Sequence, residues 1–321
     1  MNAMKLMVHY DKPELVLDVL RRRLDRMDLT CCTSYAALPE ALEDEQPEIL
    51  YSVRFAGTRG FPREAIVTCP SLKWVSVGGA GIDHLAPWDT SRLTVTNAAG
   101  VGAETMAQYA MASILHFTLG FHEFTAHQRE GRWSDGMVAS VRGLTLAILG
   151  LGNTGRAAAA LAVAFGMRVI GMRANPIATQ YVEHVVGPND LCHLLEQADG
   201  VLVCLPLTPR TRHLLDRPQF AAMKCGCVLV DVSRGGIVRQ AALLETLQNG
   251  RLKGAALDVF ETEPLPRESP LWTMPNVIVT PHCSSVYQGW ERRSIEMFCD
   301  NVERWRRGEK RQNVVDPCRG Y

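Results

Sequence analysis

Residues 144–155, LTLAILGLGNTG, form an apolar run that ends in three glycines, Gly150, Gly152 and Gly155, and a helical pattern, AAAALAVAFG, follows. This order of strand, turn and helix is typical of a dinucleotide-binding loop. The first glycine permits the tight turn, the second lets backbone approach a pyrophosphate, and the third lets helix and strand pack closely. The helix N–H groups would face the phosphates. A purely structural turn is the alternative. The predicted loop residues are Gly150, Leu151, Gly152, Asn153, Thr154 and Gly155.

Short apolar runs separated by helical patterns extend on both sides of this loop. Those before it are KLMVHY, EILYSV and LKWVSVGGAG, and those after it are MRVIGMR, GVLVCLP, CVLVDVS, GAALDVF and NVIVTP. Such alternation predicts an α/β protein with two Rossmann-like domains, each a doubly wound parallel sheet, and an active-site cleft between them. A helical pattern from Gly102 to about Gly131 precedes the second domain. We predict a flavodoxin-like domain of residues 1–98 plus 288–321 and a Rossmann domain of residues 99–287.

The composition argues against several functional classes. Thirty-four basic residues balance thirty-four acidic ones, so no net field attracts nucleic acid or anionic membranes. The N-terminal segment is interrupted by charges such as Lys5 and Asp11, unlike a signal peptide. The longest apolar-rich stretch, residues 106–121, contains Gln108 and His116 and falls short of a ~20-residue membrane span. We therefore expect a cytoplasmic protein that binds neither nucleic acid nor membranes.

The ten cysteines are scattered along the chain, and several lie in apolar strand-like runs, as Cys204 does in VLVCLP and Cys227 in CVLVD. We interpret them as small buried hydrophobic residues in a reducing compartment. Cys225 and Cys227 have no second ligand pair at zinc spacing. No metal site is predicted.

Arg173 follows the strand pattern MRVIGM, eighteen residues after Gly155. An NAD-specific site would place an acid there to hold the ribose 2′-hydroxyl group. A carboxylate would repel a 2′-phosphate, whereas a guanidinium can bind one through charge-assisted hydrogen bonds. The sequence therefore favours NADP(H), with NAD(H) as the alternative coenzyme. A solvated surface arginine is the structural alternative.

Three polar segments follow strand patterns of the second domain. They contain Arg234 in VDVSRGG, Glu263 in LDVFETEPLP and His282 in VTPHCSS. Open α/β sheets bind ligands at the carboxyl ends of their strands, so these side chains are expected at one edge. Here the chain resembles the D-2-hydroxyacid dehydrogenase family, whose arginine, glutamate and histidine lie in these contexts. The resemblance extends over nearly the whole chain and includes GGAGID, GLGNTG, LPLTPRT and SPLW.

Within that family the chain most resembles the glyoxylate/hydroxypyruvate reductase A branch. The features behind this are LKGAALDVFETEPLPRESPLW, Arg173 in place of the ribose acid, and the ending RGY. Two positions depart from common family patterns: Gln108 stands in AQYA, where many members have glutamate, and Cys283 follows the histidine. Neither departure touches the chemistry that the resemblance implies.

That chemistry is the NADPH-dependent reduction of a small 2-oxo acid, such as glyoxylate or hydroxypyruvate, to a 2-hydroxy acid. Negative charge develops on the carbonyl oxygen, so a proton donor and a cation are needed there. His282 is the candidate donor, and Glu263 its partner, because a neighbouring carboxylate favours protonated imidazole. Arg234 can orient the substrate with its planar fork. Taken alone, each residue could instead be structural.

The resemblance implies further contacts in both domains. Coenzyme contacts are expected from Leu205, Pro206, Thr211, Val232, Ser233 and Asp258. For Asp258, a hydrogen-bonding prop is the competing role. In the first, substrate-binding domain, the glycine-rich GGAGID turn would bind the substrate carboxylate at Ala80 and Gly81. Arg54 is a further substrate-binding candidate, with a plain loop arginine as the alternative.

The same resemblance, with the apolar helical pattern over residues 102–131, predicts a homodimer. Trp133 either packs in the core or reaches the pocket of the neighbouring subunit. Two rival functions stay open. One is another dehydrogenase of the family, acting on phosphoglycerate, a phosphonate or formate, and the other is a non-catalytic, nucleotide-sensing protein like a corepressor.

Overall fold

The computed structural model describes residues 4–55 and 58–317, and the chain divides into two compact units. The first unit consists of Met1–Val101 and Tyr287–Tyr321, and the second is Gly102–Val286. The domain boundaries predicted from the sequence, after residues 98 and 287, lie within three residues of these divisions. The RGY ending used for the branch assignment lies outside the described residues.

The first unit is built on a five-stranded parallel sheet with helices on both faces. Its elements up to residue 97 are β1 (Met4–His9), α1 (Glu14–Arg23), β2 (Met27–Cys32), α2 (Leu38–Glu45), β3 (Ile49–Ser52), α3 (Arg63–Thr68), β4 (Trp74–Val77) and β5 (Thr94–Asn97). The strand order is β2-β1-β3-β4-β5, as in flavodoxin-type sheets. Because side chains alternate along a strand, Leu6 and Val8 pack with α1 on one face, and Met7 packs with α2 and α3 on the other.

The second unit contains the remaining strands and most of the remaining helices. Its elements are α4 (Ala103–Thr118), α5 (Phe121–Arg129), β6 (Thr145–Leu149), α6 (Asn153–Ala164), β7 (Arg168–Met172), β8 (His184–Val186), α7 (Leu191–Leu195), β9 (Gly200–Val203), α8 (Arg217–Ala222), β10 (Cys227–Asp231), α9 (Gln240–Gln248), β11 (Leu252–Leu257) and β12 (Val277–Val279). Short 3₁₀ turns cover Pro188–Asp190 and Pro270–Trp272. The sheet is parallel, in the order β12-β11-β10-β9-β6-β7-β8.

The strand order of this second sheet reverses between β6 and β9. From β6 the chain first builds outward through β7 and β8, and then returns to add β9 to β12 on the other side. Crossover connections diverge at such a switch point, which leaves a crevice at the carboxyl ends of the two central strands. Leu146 and Ile148 pack with α4 and α6, and Ala147 and Leu149 pack with α7 to α9, so the sheet is doubly wound as predicted.

The last helix, α10 (Trp290–Arg306), belongs to the first unit and packs beside α1. Its Ile295, Phe298 and Val302 enter the same core as Leu6 and Val8. The position expected for this carboxyl-terminal helical pattern is therefore the one observed.

Several local predictions need correction. The pattern over residues 102–131 is two helices, α4 and α5, because Gly120 adopts the left-handed region (φ +78°) and ends the run. Strands β2, β5 and β8 were not predicted. The cysteines are not uniformly buried: Cys31 and Cys225 are exposed. Within residues 4–55 and 58–317, no helix is long and apolar enough to cross a membrane, and no cluster of potential ligands could hold a metal ion.

Candidate active site

The glycine loop joins β6 to α6, and two of its glycines are required by close approach. A Cβ on Gly155 would lie 2.0 Å from the carbonyl oxygen of Gly150, so only glycine lets α6 pack here. Gly150 has φ +106°, and a Cβ there would lie 2.7 Å from the Cys204 carbonyl oxygen. A Cβ on Gly152 would meet nothing within 4 Å. The open side of the loop therefore lies at the amino end of α6, where a pyrophosphate would bind. These residues fit a dinucleotide.

The segment after β9 folds into a turn beside this loop. Thr211 Oγ1 donates to the carbonyl oxygen of Pro206 at 2.7 Å and accepts from the Thr208 N–H at 2.8 Å. The Cys204 thiol donates to the Gly150 carbonyl at 2.9 Å, which ties the end of β9 to the glycine loop. Leu205, Pro206 and Thr211 are all partly exposed, as coenzyme contacts would require.

Arg173 directly follows β7, the strand next to β6 on the side away from β9. Its backbone N–H donates to the Val186 carbonyl oxygen at 3.2 Å, which fixes the start of the loop. Among the described residues, no group forms a hydrogen bond or ion pair with its guanidinium. The side chain is half-buried.

Arg234, Glu263 and His282 are the candidate catalytic residues, called the catalytic trio below, and they lie together at the carboxyl edge of the second sheet. His282 Nδ1 is 2.8 Å from Glu263 Oε2, and His282 Nε2 is 3.5 Å from Arg234 Nη1. The histidine and glutamate side chains are each 33% exposed, so the pair is open to a small molecule. The same guanidinium nitrogen donates to the Ser233 carbonyl oxygen at 2.8 Å. Nε2 is therefore the imidazole nitrogen that lies beside the arginine.

Glu263 is held in its ionised form. Partial burial by itself raises the pKa of Glu263, but the hydrogen bond and charge of His282 lower it. The Phe260 N–H, which donates to Oε1 at 3.1 Å, and the charge of Arg234 lower it further, and the net pKa lies below the ordinary value. A carboxylate held in this way orients the imidazole of His282.

Asp258 anchors the segment that carries His282. Its side chain is 1% exposed. Oδ1 accepts from Thr280 Oγ1 at 2.6 Å and from the Cys283 N–H at 2.8 Å, and Oδ2 accepts from the Ser284 N–H at 2.9 Å. These bonds fix the backbone on both sides of His282, which itself adopts φ +52°. A left-handed histidine is uncommon, and the turn keeps it there because its neighbours are tied to one carboxylate.

Two polar residues near these segments were not identified from the sequence. The Tyr109 hydroxyl, on α4, lies 2.9 Å from Thr280 Oγ1 and supports the same segment. Asp231, the last residue of β10, is buried and accepts hydrogen bonds from Ser233. The only signal for Asp231 in the sequence is that a charged residue ends the apolar strand CVLVD. The position of Tyr109 carries no local signal, because its contact joins residues 171 positions apart.

The remaining substrate-binding candidates lie in the first unit, at the carboxyl edge of its own sheet. After β4 the chain turns through Gly78 to Gly81, and the Asn97 side chain donates to the Ala80 carbonyl oxygen at 2.6 Å. Ala80 is exposed and Gly81 is partly exposed, so their surroundings are open. Arg54, after β3, is exposed.

Trp133 is 96% exposed, which makes the core-packing alternative wrong for this residue in the single chain. It lies in the second unit, in the segment between α5 and β6. Met137 and Val138 are also exposed in that segment.

Comparison with known proteins places these features in one family. Residues 111–284 match the family model described as D-isomer specific 2-hydroxyacid dehydrogenase, NAD binding domain. Glyoxylate/hydroxypyruvate reductase B of Serratia proteamaculans is 32% identical over 325 residues, which cover 95% of this chain and 98% of that protein. D-3-phosphoglycerate dehydrogenase of Methanocaldococcus jannaschii is 32% identical over 79% of this chain, but the match spans only 49% of its own length.

A solved structure shares the fold over the whole length. The D-isomer specific 2-hydroxyacid dehydrogenase from Xanthobacter autotrophicus Py2, in complex with NADPH and MES, is 31% identical and has a TM-score of 0.86. The superposition covers 99% of this chain and 100% of that one. Placement in the A branch stays a prediction, since a relative named reductase B matches nearly the full chain. The family match over more than half of the residues shows that the chain belongs to the D-isomer specific 2-hydroxyacid dehydrogenases, with an NAD(P)-binding second unit.

Proposed function

We propose that this protein reduces small 2-oxo acids, with glyoxylate and hydroxypyruvate as the leading candidates, to 2-hydroxy acids, using NADPH. The observation that carries the proposal is the arrangement of the catalytic trio. A carboxylate contacts one imidazole nitrogen at 2.8 Å, and a guanidinium lies 3.5 Å from the other. This is the set of groups that a ketone needs when its oxygen gains negative charge and then a proton.

The second unit supplies the coenzyme site in this proposal. Residues 150–155 hold the pyrophosphate with their backbone, and Arg173 binds the 2′-phosphate. Leu205, Pro206, Thr211, Val232 and Ser233 contact the rest of the coenzyme. When bound, the reduced nicotinamide supplies a hydride to the carbonyl carbon of the substrate.

His282 gives the proton that completes the reduction. Because Nδ1 is engaged by Glu263, Nε2 is the nitrogen that donates to the carbonyl oxygen. The O–H bond forms as the Nε2–H bond breaks, and the imidazole is left neutral with its proton on Nδ1, still bonded to the carboxylate. Solvent then returns a proton to Nε2. Glu263 therefore orients the ring and stabilises the cation without leaving its own ionised state.

Arg234 has two tasks. Its charge stabilises the oxygen as negative charge develops, and its planar donors fix the orientation of the substrate carboxylate relative to the carbonyl group. The contact with the Ser233 carbonyl holds the guanidinium in place before substrate binds. The N–H groups of Ala80 and Gly81, and the side chain of Arg54, are proposed to bind the substrate carboxylate.

Turnover of a substrate panel tests the proposal. Glyoxylate, hydroxypyruvate, pyruvate and phenylpyruvate are each offered with NADPH and with NADH, and the absorbance of the reduced coenzyme is followed. We expect the highest kcat/KM for glyoxylate or hydroxypyruvate with NADPH. Oxidation of 3-phosphoglycerate, a phosphonate or formate in preference would assign another activity of the family. Tight binding of NADPH without turnover of any acid would favour a nucleotide-sensing protein.

Arg173→Ala tests the coenzyme preference. Loss of the charge-assisted hydrogen bonds to a 2′-phosphate should raise the KM for NADPH by about tenfold or more and leave the KM for NADH almost unchanged. Arg168→Ala is the matched control, since Arg168 begins the same strand and pairs with Glu183 at the opposite end. An equal effect on both coenzymes, or a wild type that uses NADH as well as NADPH, would contradict the preference.

A homodimer is also proposed. The apolar side chains of Trp133, Met137 and Val138 support it, because all three are exposed in one segment, and clustered exposed apolar groups often mark a protein–protein contact. Sedimentation equilibrium should give twice the chain mass, and Trp133→Ser with Met137→Ser should weaken the association. A monomer at micromolar concentration would contradict it.

A further inference from the structure

Asp231 is a buried carboxyl group of the second unit that the proposed reaction does not use. It ends β10 immediately before the segment that carries Arg234, and its side chain is 2% exposed. Its Oδ1 accepts two hydrogen bonds, both from Ser233: one from the N–H at 3.0 Å and one from the hydroxyl group. A buried carboxyl group without a catalytic assignment at a strand end calls for a physical role.

Ser233 links this carboxyl group to the catalytic trio. While its N–H and O–H bind Asp231, its carbonyl oxygen accepts from Arg234 Nη1 at 2.8 Å. The same nitrogen lies 3.5 Å from His282 Nε2. A continuous series of contacts therefore runs from Asp231 through Ser233 to the guanidinium and the imidazole.

The two buried aspartates at this edge are held differently. Asp258 accepts from three different residues on both of its oxygens. The two bonds that Asp231 accepts come from one residue and converge on one oxygen. Fewer hydrogen bonds replace the water that Asp231 loses on burial, so its ionised form is less well stabilised than that of Asp258. Asp231 is therefore the carboxyl group whose protonation can change at moderate pH.

The titration of Asp231 is set mainly by burial, which raises its pKa to about 7. The two hydrogen bonds from Ser233 and the charge of His282 lower the pKa, whereas the charge of Asp258 raises it. Asp231 also contributes to the lining of a narrow cleft. The titratable, charged and polar groups that interact with Asp231 or line this cleft are Cys204 after β9, Ser233 after β10, Gln240 of α9, Asp258 and Glu261 after β11, and His282 after β12.

We propose that Asp231 is a positioning residue: as an anion it fixes both donors of Ser233, so that the Ser233 carbonyl holds Arg234 beside His282, and protonation loosens this hold. The inference rests on the proposed function for its kinetic consequence. A hydrogen bond to an ionised acceptor is about twice as strong as one to a neutral acceptor, so the protonated carboxyl group holds Ser233 less firmly. The reduction should then require ionised Asp231 as well as protonated His282.

The first test follows Arg234 without any turnover. In a ¹⁵N–¹H spectrum of the free protein, the Nε–H signal of Arg234 is identified as the one that is missing from the spectrum of Arg234→Ala. We expect it to shift with a midpoint near pH 7. Asp231→Asn should abolish that step, because the carboxamide oxygen still accepts both bonds from Ser233 but does not titrate in this range. If the shift of the Arg234 signal were instead caused by His282, it would persist in Asp231→Asn and disappear in His282→Asn.

The second test is the pH dependence of kcat/KM for glyoxylate with NADPH. On the acidic side, the wild type should lose activity as Asp231 gains a proton. Asp231→Asn should flatten the acidic side. Ser233→Ala removes one bond to the anion, so the acidic side should move to higher pH by about one unit. The dissociation constant of NADPH should change less than about threefold in Asp231→Asn, since Ser233 is only one of the proposed coenzyme contacts and the glycine loop is untouched.

The outcomes separate the two proposals. If the wild type reduces no 2-oxo acid, the proposed function is wrong, and the Arg234 signal still decides the role of Asp231. An Arg234 signal that titrates identically in the wild type and Asp231→Asn would overturn the positioning role. So would an acidic side of kcat/KM that Asp231→Asn leaves in place. Asp231→Asn is used rather than Asp231→Ala because alanine would leave the buried N–H of Ser233 without its acceptor.

Discussion

The carboxyl edges of the two parallel sheets carry different kinds of side chain. In the second unit, the catalytic trio of Arg234, Glu263 and His282 forms a charged edge joined by ionic hydrogen bonds. In the first unit, four residues form an aromatic edge, in which three packed rings lie around a hydrogen bond between a histidine and a serine. These are His9 at the end of β1, Tyr35, Ser52 at the end of β3, and Phe55. The same sheet position thus carries a hydrogen-bonded charged cluster in one unit and a packed aromatic cluster in the other.

Two histidines show what this difference does. His282 is one third exposed and hydrogen-bonded to a carboxylate, as the proposed proton donor needs to be. His9 is fully buried, and its Nδ1 lies 3.0 Å from the Ser52 hydroxyl oxygen. Its ring centroid is 4.9 Å from that of Phe55, and burial lowers the pKa of His9 to about 4. The partner and the exposure, rather than the residue type, decide which imidazole can do acid chemistry.

Replacing the charged-edge histidine should give the largest effect. His282→Asn removes the proton donor while asparagine tolerates the left-handed backbone at φ +52°. We expect kcat to fall by about 10³-fold, within the range typical of a lost general acid, and the NADPH dissociation constant to change little. His193→Asn is the matched control, because His193 also lies near a glutamate, at 3.4 Å, but is exposed on α7. Retention of most of kcat in His282→Asn would remove this histidine from the mechanism.

The aromatic edge should appear in the pH dependence of stability. Because the pKa of His9 is about 4 when folded and near 6.5 when unfolded, the unfolded chain binds one more proton between these values. The free energy of unfolding should therefore be unaffected by His9 above pH 6.5 and decrease as the pH falls toward 4, by about 3 kcal/mol in total. Denaturant unfolding of the wild type and His9→Asn at pH 7 and pH 4.5 checks this. Parallel losses in the two proteins would show that His9 is not held neutral.

Replacement of the charged-edge arginine should have a smaller effect. Arg234→Lys keeps the positive charge but loses the planar fork and the contact geometry at Ser233. We expect kcat/KM for glyoxylate to fall by about a hundredfold, with changes in both kcat and KM, since up to two charge-assisted hydrogen bonds are weakened. Arg217→Lys is the control, because Arg217 forms a two-bond pair with Glu245 on the exposed surface. An equal loss in both variants would mean that the effect is not local to the site.

How much of this arrangement could be predicted depends on how local its causes are. The glycine loop was predictable because its turn, its close approach and its helix start lie within six residues. The strands with continuous apolar runs were also predictable, because a run of neighbouring apolar residues is itself a local signal. Strand β2 was missed because Asp28 and Thr30 interrupt its apolar pattern, and β8 because it is only three residues long.

The residues of the catalytic trio could be predicted from the sequence, but the contacts between them could not. Residue types and strand ends indicated Arg234, Glu263 and His282, yet their contacts join residues 19 and 48 positions apart. The roles of Asp231 and Tyr109 depend on packing between elements, which no short pattern records. Cys31 is exposed because β2 lies at the edge of its sheet, and the residues next to Cys31 in the sequence do not indicate that position.

The smallest expected effect, and the one that tests the charged edge most directly, comes from removing the negative charge of Glu263. Glu263 has a pKa below its ordinary value, because the His282 and Phe260 hydrogen bonds and the charge of Arg234 outweigh burial, so it is ionised throughout a neutral assay. Glu263→Gln keeps an oxygen that can accept from His282 Nδ1, and the ring stays oriented, but the negative charge is lost. The kcat at pH 7 should therefore fall only a few-fold, because the charge that stabilises the imidazolium is lost while the orientation of the ring is kept. Glu263→Ala also removes the oriented acceptor, so it should add a further loss of kcat. If Glu263→Gln keeps the full kcat of the wild type, the carboxylate acts only by orienting the ring, and the contrast between the two sheet edges does not depend on charge.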